Sequence, residues 1–271
     1  MAEKKRLDTA VFELGIAETR SKASALIMSG EIYVNGQKET KSGYAVKEKD
    51  IIEFKGKKMP FVSRGGYKLE KAMKVFPISL ANCVCMDIGA STGGFTDCML
   101  QCGALKVYAI DVGYGQLAWK LRTDERVINL ERTNFRYLTD ETVSEKIDFA
   151  SIDVSFISLN KILPVLFGFL KDGGACVALI KPQFEAGKEK VGKKGVVRDI
   201  ETHKEVIRNV ADFAFESGFS VYGLDFSPVK GPEGNIEYLM YIKKASEKQE
   251  FLNLDETVEA LVKASHGALD K

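Results

Sequence analysis

From Cys83 onward the chain alternates apolar runs of four to seven residues with helix-like stretches, and few folds accept that rhythm. The runs Cys83–Ile88, Lys106–Asp111, Val127–Leu130, Phe149–Asp153 and Ala175–Ile180 lack the inside-outside alternation of half-exposed strands. That predicts parallel strands covered on both faces. Between and after them, residues 94–101, 116–121, 140–145, 160–170 and 201–216 read as helices. Residues 220–226 and 237–243 read as closing strands, and 255–264 as a tail helix. Strand, helix, strand in this order predicts an α/β fold with a doubly wound sheet.

The first 58 residues have a different character. Leu7–Leu14 and Arg20–Met28 read as short helices stopped by Gly15 and Gly30, the second capped by Thr19 or Ser21. Ile32-Tyr33-Val34 runs into Asn35-Gly36, the strongest two-residue hairpin signal, and residues 41–54 supply further short strand. Lys55-Gly56-Lys57-Lys58-Met59-Pro60 has turn residues and charge without periodicity, which marks a boundary. We therefore expect a small α+β domain at 1–58, a linker at 59–63 and a large domain at 64–271, a division that suits 271 residues. Charge divides similarly. Residues 1–75 carry 16 Lys and Arg against 10 Asp and Glu, net +6, leaving 23 against 28 for the rest. The amino-terminal quarter has the sign that anionic partners prefer.

Several classes are excluded. The longest apolar stretch, Ile162–Leu170, contains Pro164 and Gly168 and falls well short of the ~20 residues that span a bilayer. The start, Met1 to Arg6, has no apolar run behind its basic residues, so a secretory signal and a membrane location are not expected and a cytoplasmic one is. The five cysteines lack the Cys-x-x-Cys spacing of common structural zinc sites, and no metal is expected.

The sharpest local feature is Asp87-Ile88-Gly89-Ala90-Ser91-Thr92-Gly93-Gly94-Phe95, where the first strand of the large domain must turn into its helix. Glycines there let a ligand approach the backbone. No Gly-Lys-Ser/Thr follows, and the spacing is not G-x-G-x-x-G, so neither a P-loop nor a nicotinamide site is indicated. Asp111 ends the next strand about 20 residues on, where a carboxylate would accept ribose hydroxyls. Together they point to a nucleoside-containing cofactor. Asp153 and Lys181 close two later strands, at the edge where open α/β sheets bind ligands. Glu237 opens the last strand and Lys68 lies on a basic helix before the first. Lys188, Lys190, Lys193 and Lys194 fall in a loop with two glycines, either a solvated loop or a phosphate clamp.

These residues resemble known families. Arg6-Leu7-Asp8, Gly15, Thr19-Arg20-Ser21-Lys22-Ala23 and Gly30 to Gly36 resemble the RNA-binding domain of ribosomal protein S-four. Asp87 to Phe95, Asp111 and the Lys68, Asp153, Lys181, Glu237 tetrad resemble the FtsJ-like RNA 2′-O-methyltransferases. The fusion, with Lys181-Pro182-Gln183-Phe184-Glu185, resembles the TlyA or haemolysin A family. The resemblance implies a Rossmann-like class I methyltransferase, S-adenosylmethionine, and cytidine 2′-hydroxyls of ribosomal RNA, in the small or large subunit or both. It implies a cofactor site at Asp87, Gly89, Ala90, Ser91, Gly93, Gly94, Phe95, Asp111, Asn134 and Asp153, with an amide at Asn134 where wider FtsJ-like enzymes place Asp. Arg6, Arg20, Lys22, Arg64 and the four loop lysines would meet RNA. No obligatory protein partner is expected.

A ribose hydroxyl must lose its proton as it attacks, so the site needs a base. Lys181 is our assignment, helped by the neighbouring cation Lys68, because a lysine is ordinarily charged at pH 7. Asp153 is the alternative acceptor. Phe156 and Phe184 are candidates to stack on the target base, with core packing the commoner fate of such residues. Two other readings compete: a non-catalytic ribosome-assembly protein, which an intact tetrad argues against, and a haemolysin-like activity as a secondary effect.

Overall fold

The computed structural model describes residues 4–17, 19–56 and 59–270; Lys57 and Lys58 of the expected boundary lie outside them. Contacts divide the chain into residues 1–59 and 60–271.

In the first unit, β1 (Lys5–Arg6) leads into α1 (Leu7–Glu13), and α2 (Arg20–Met28) follows with the Thr19 hydroxyl accepting from the Lys22 amide at 3.1 Å. β2 (Ile32–Val34) turns through Asn35 and Gly36, both at positive φ, into β3 (Gln37–Lys38). β4 (Ala45–Val46) pairs with β1, and β5 (Ile52–Phe54) pairs with β2. Leu7, Val11, Ala23, Ile27 and Ile32 form its core.

The second unit opens within the segment expected as a linker. Phe61 is buried in its core, and the Val62 amide donates to the Asp97 carboxylate at 2.9 Å. α3 (Gly65–Val75) precedes β6 (Val84–Ile88), α4 (Gly94–Gln101), β7 (Lys106–Ile110), the single turn α5 (Trp119–Arg122) and β8 (Val127–Leu130). β9 (Ile147–Ile152), α6 (Leu163–Phe169), β10 (Leu170–Ile180) and α7 (Pro182–Glu185) follow. Then come α8 (Ile200–Glu216), β11 (Ser220–Phe226), β12 (Tyr238–Lys243) and α9 (Leu254–Leu269).

The seven strands lie in the order β11-β12-β10-β9-β6-β7-β8, and β12 alone runs against its neighbours. Apolar layers cover both faces, one under α6, α8 and α9 and the other under α3 and α4. This is the doubly wound sheet that the alternation of strands and helices predicts. Every residue of β6 is buried, which explains why Val84, Cys85, Met86 and Ile88 are apolar, with burial of a side chain such as Val, Met or Ile contributing about 1.5–3 kcal/mol; Asp87 is the one polar residue of the strand. Residues 140–145, expected as a helix, form turns instead. So short a segment has little helical stability of its own and takes its shape from packing, here with Val143 buried.

Candidate active site

The sheet order reverses between β6 and β9, and the site lies beyond the carboxyl ends of these strands. Asp153 follows β9, its amide donating to the Ile88 carbonyl at 2.9 Å. Lys181 follows β10. Because β12 is antiparallel, with Tyr238 opposite Ile180, the residue that precedes it, Glu237, arrives at the same edge as Lys181. Lys68 comes across from α3. Four residues spread over 170 positions thus meet in a cleft of about 320 Å³.

The Lys68 ammonium lies 3.1 Å from one Asp153 oxygen and 2.7 Å from Glu237, and Lys181 lies 2.5 Å from the other Asp153 oxygen. Lys181 also donates to the Ser155 hydroxyl at 3.2 Å. Glu237 is 1 % exposed, and Lys68 stands against it as its ion-pair partner. Burial opposes charge on Lys68, but Asp153 and Glu237 outweigh it and raise its pKa. Burial likewise opposes charge on Asp153, and the two ammonium groups outweigh it and lower its pKa. Both groups are therefore ionised at neutral pH. Lys68 thus stands near Lys181 with two carboxylates against the two lysines, and those carboxylates oppose any help that its charge gives toward a neutral Lys181.

A second cleft, about 560 Å³, opens beside the first and shares Gly89, Ser91, Asp153 and Ser155 with it. Ile88, Ile110, Phe135 and Val154 give it an apolar wall, and Asp111 and Asn134 lie on it. Gly89 is at φ +86, and a Cβ there would stand 2.5 Å from the Asp153 carbonyl oxygen. The Asp111 carboxylate accepts from the Ser91 and Gly113 amides at 2.8 and 2.6 Å. Ala90, Gly94 and Phe95 line the tetrad cleft, whereas Gly93 lines neither. Asp87 is fully buried and accepts from the Thr96 amide (2.9 Å), the Thr96 hydroxyl (2.7 Å) and the Ser151 hydroxyl (3.0 Å). Burial nonetheless raises it to about 6. Its place is to brace the turn into α4.

The expected RNA-facing residues fall in three places. Arg6 and Arg20 both bond Asp8, at 2.8 and 3.3 Å, and the Arg6 hydrogen bond above all holds that carboxyl below its usual range. Lys22 lies on α2, its backbone amide engaged by Thr19. Arg64, at the start of α3, lines the tetrad cleft. Lys188, Lys193 and Lys194 are exposed in the loop after α7, but Lys190 is paired with Glu205. Phe156 is 91 % exposed at φ +63, its ring 5.1 Å from that of Phe184, so core packing does not apply to it. Sequence reasoning overlooked Ser155 and an exposed pair of stacks, Arg132 on Tyr114 and Arg136 on Tyr137. The run Glu131 to Tyr137, mixing charges and aromatics just after β8, was the available signal.

Sheet order, glycine-rich turn and paired clefts define a Rossmann-like methyltransferase. Residues 61–244 match the family of FtsJ-like methyltransferases, and residues 5–52 match the S4 domain. The chain belongs to the FtsJ-like methyltransferase family, in the group of S4-bearing proteins that includes TlyA. It is 50 % identical over 270 residues to YqxC of Bacillus subtilis, described as an rRNA methyltransferase, covering 99 % of this chain and 96 % of that one. It is 41 % identical over 249 residues to the 16S/23S rRNA (cytidine-2′-O)-methyltransferase TlyA of Mycobacterium tuberculosis, covering 92 % and 93 %. A solved structure described as a hemolysin from Streptococcus thermophilus matches with TM-score 0.78 and 46 % identity, covering 100 % of this chain and 98 % of that one. Among the described residues no helix is long and apolar enough to cross a membrane.

Proposed function

We propose that this protein transfers a methyl group from S-adenosylmethionine to the 2′-hydroxyl of a cytidine in ribosomal RNA of the small subunit, the large subunit or both, and does so in the cytoplasm. The observation that carries this reading is the Lys68, Asp153, Lys181, Glu237 cluster at the junction of two clefts, which places proton-handling groups where a nucleoside cofactor and a ribose can meet.

The second cleft suits the cofactor by its donor set. Asp111 offers a carboxylate to a ribose diol, Asn134 an amide to an adenine edge, and the apolar wall a surface for the base. Gly89 and Ser91 supply backbone that a ligand can approach. When bound, S-adenosylmethionine supplies an electrophilic methyl on a sulfonium. The rest falls to side chains. As the hydroxyl oxygen bonds to the methyl carbon and the carbon–sulfur bond breaks, the hydroxyl proton needs an acceptor. Asp153, its pKa lowered by two lysines, is a weak one, and we assign the proton to Lys181, which must first release its own ammonium proton to solvent before it can accept, with Ser155 and Asp153 orienting it. Glu237 and Asp153 hold Lys68 as a fixed positive charge.

On the RNA side, Arg6, Arg20 and Lys22 suit phosphate contacts by residues 1–58, the expected linker 59–63 being largely part of the second unit, whose core holds Phe61. Arg64, Arg132, Arg136 and the basic loop surround the clefts' unit with further cations, and exposed Phe156 is placed to stack on a base taken out of its helix. The test is transfer of labelled methyl to purified ribosomal subunits. Incorporation at a cytidine 2′-oxygen is expected, falling at least 10³-fold in Lys181→Ala while cofactor affinity stays within twofold. Turnover retained by Lys181→Ala would remove it from the proton path.

A further inference from the structure

The tetrad cleft does not end at the tetrad. Lys230 lines it and also lines a neighbouring cavity of about 480 Å³, which Val196 and Arg198 share with a third of about 350 Å³ that carries Lys193 and Lys194. The three share lining residues in series, Lys230 between the first two and Val196 and Arg198 between the last two, and we read that series as one groove.

Its wall is built rather than incidental. Asn235, 1 % exposed, accepts from the Val197 amide at 3.0 Å and donates to the Gly195 carbonyl at 2.8 Å. The loop bearing Lys193, Lys194 and Arg198 is thereby tied to the segment entering β12, two residues before Glu237. The Val197 carbonyl also meets the ring of buried His203 at 3.0 Å.

The acids along the groove are mostly engaged. Asp199 caps α8 through Thr202, Asp270 bonds Lys230 and His266 at 2.7 and 2.6 Å, and Glu205 holds Lys190. Glu233 stands on the exposed rim. Among the described residues, no acid lies within ion-pairing distance of Lys193, Lys194 or Arg198. A groove that begins at the reacting hydroxyl and continues past spaced cations fits a polyanion with a charge at each unit.

We propose that this groove is the track for the single RNA strand that flanks the target nucleotide, with Lys230 and Arg198 contacting successive phosphates between the tetrad and Lys193–Lys194. The inference rests on the RNA-methyltransferase reading above. It assigns the two residues to strand positioning and leaves chemistry to the tetrad.

The test measures methyl transfer to purified ribosomal subunits across a range of monovalent salt. Arg198→Glu should raise KM for the subunit at least tenfold, with kcat and S-adenosylmethionine affinity within twofold. It should also reduce the slope of log KM against log salt by about 0.7, the share of one single-strand phosphate contact. Arg198→Lys should restore most of the loss, and Lys230→Met should act in the same direction. Lys146→Glu, a charge reversal at the opposite, amino-terminal end of β9, should change KM less than twofold. Unchanged KM and slope in Arg198→Glu, or an equal loss in Lys146→Glu, would overturn the track. Wild-type protein that methylates no ribosomal subunit would overturn the functional reading and the track together.

Discussion

Lys68 is half-legible in the sequence: a lysine on a helix facing a strand end is a candidate for anything, and only its two carboxylate partners define it. Removing it strands Glu237, buried and paired with no other lysine, and leaves Asp153 with one partner instead of two. Lys68→Met should therefore abolish turnover and also cost about 3 kcal/mol of stability, read from the urea midpoint. Lys68→Met with Glu237→Gln should recover at least half of that, because the uncompensated charge is gone. An unchanged midpoint in the single variant would mean that water solvates Glu237. Asp87 shows the limit of reading residues singly. Its place before a glycine-rich turn suggests ligand contact; it does line the tetrad cleft, and both its oxygens also accept from Thr96 and Ser151, so it braces the turn from the same position. Phe156 shows the converse, since hydropathy cannot reveal that an aromatic in a strained turn faces solvent.

At the scale of elements, α8, β12 and α9 are joined by a buried polar link. His203 on α8 meets the Tyr238 hydroxyl of β12 at 2.7 Å, which in turn lies 3.2 Å from the Ser265 hydroxyl of α9. Burial lowers the His203 pKa below its ordinary 6.5. The unfolded chain therefore takes up a proton below pH 6.5 that the folded one refuses, so this contribution to stability is complete above 6.5 and is lost as pH falls. Asp87, raised to about 6, acts in the opposite sense as pH falls from there toward 3.8. The difference between wild type and His203→Asn isolates the histidine. The urea midpoint of the variant should start lower and fall less steeply than that of wild type between pH 6.5 and 5; parallel curves would exclude His203 as the titrating group. Most strands and long helices were legible because burial on both faces imposes unbroken apolar runs and α8 imposes a 3.6-residue period. Residues 140–145 and the single turn of α5 were not, because such short segments take their shape from what they pack against.

For the whole molecule, contacts divide the chain at residue 59, and the positive charge of residues 1–75 is split across that division: residues 1–59 carry 12 Lys and Arg against 9 Asp and Glu, while Arg64, Lys68, Lys71 and Lys74 belong to the second unit. The first has its own core of Leu7, Val11, Ile27 and Ile32, and both cofactor-cleft walls and tetrad come from the second. Removal of residues 1–58 should thus raise KM for ribosomal subunits at least tenfold while S-adenosylmethionine binding, measured by calorimetry, stays within twofold. Equal subunit affinity with and without those residues would deny the first unit its RNA role. Loss of cofactor binding would show that the second depends on the first to fold.

The sequence by itself determined the α/β class, the hairpin at Asn35-Gly36, the glycine-rich turn and the identity of four polar residues at strand ends or on a helix. The first three follow from local chemistry, periodicity and turn geometry, while the four polar residues were grouped as a set only by the resemblance to the FtsJ-like methyltransferases. Tertiary structure alone decided that β12 runs antiparallel beside β10, which brings Glu237 to the same sheet edge as Lys181, that Lys68 pairs with both Asp153 and Glu237, and that Lys230 and Arg198 line a series of cavities beside the tetrad. These depend on strand register and on pairs separated by tens of residues, where the energy of a contact belongs to two distant positions and leaves no pattern in either neighbourhood.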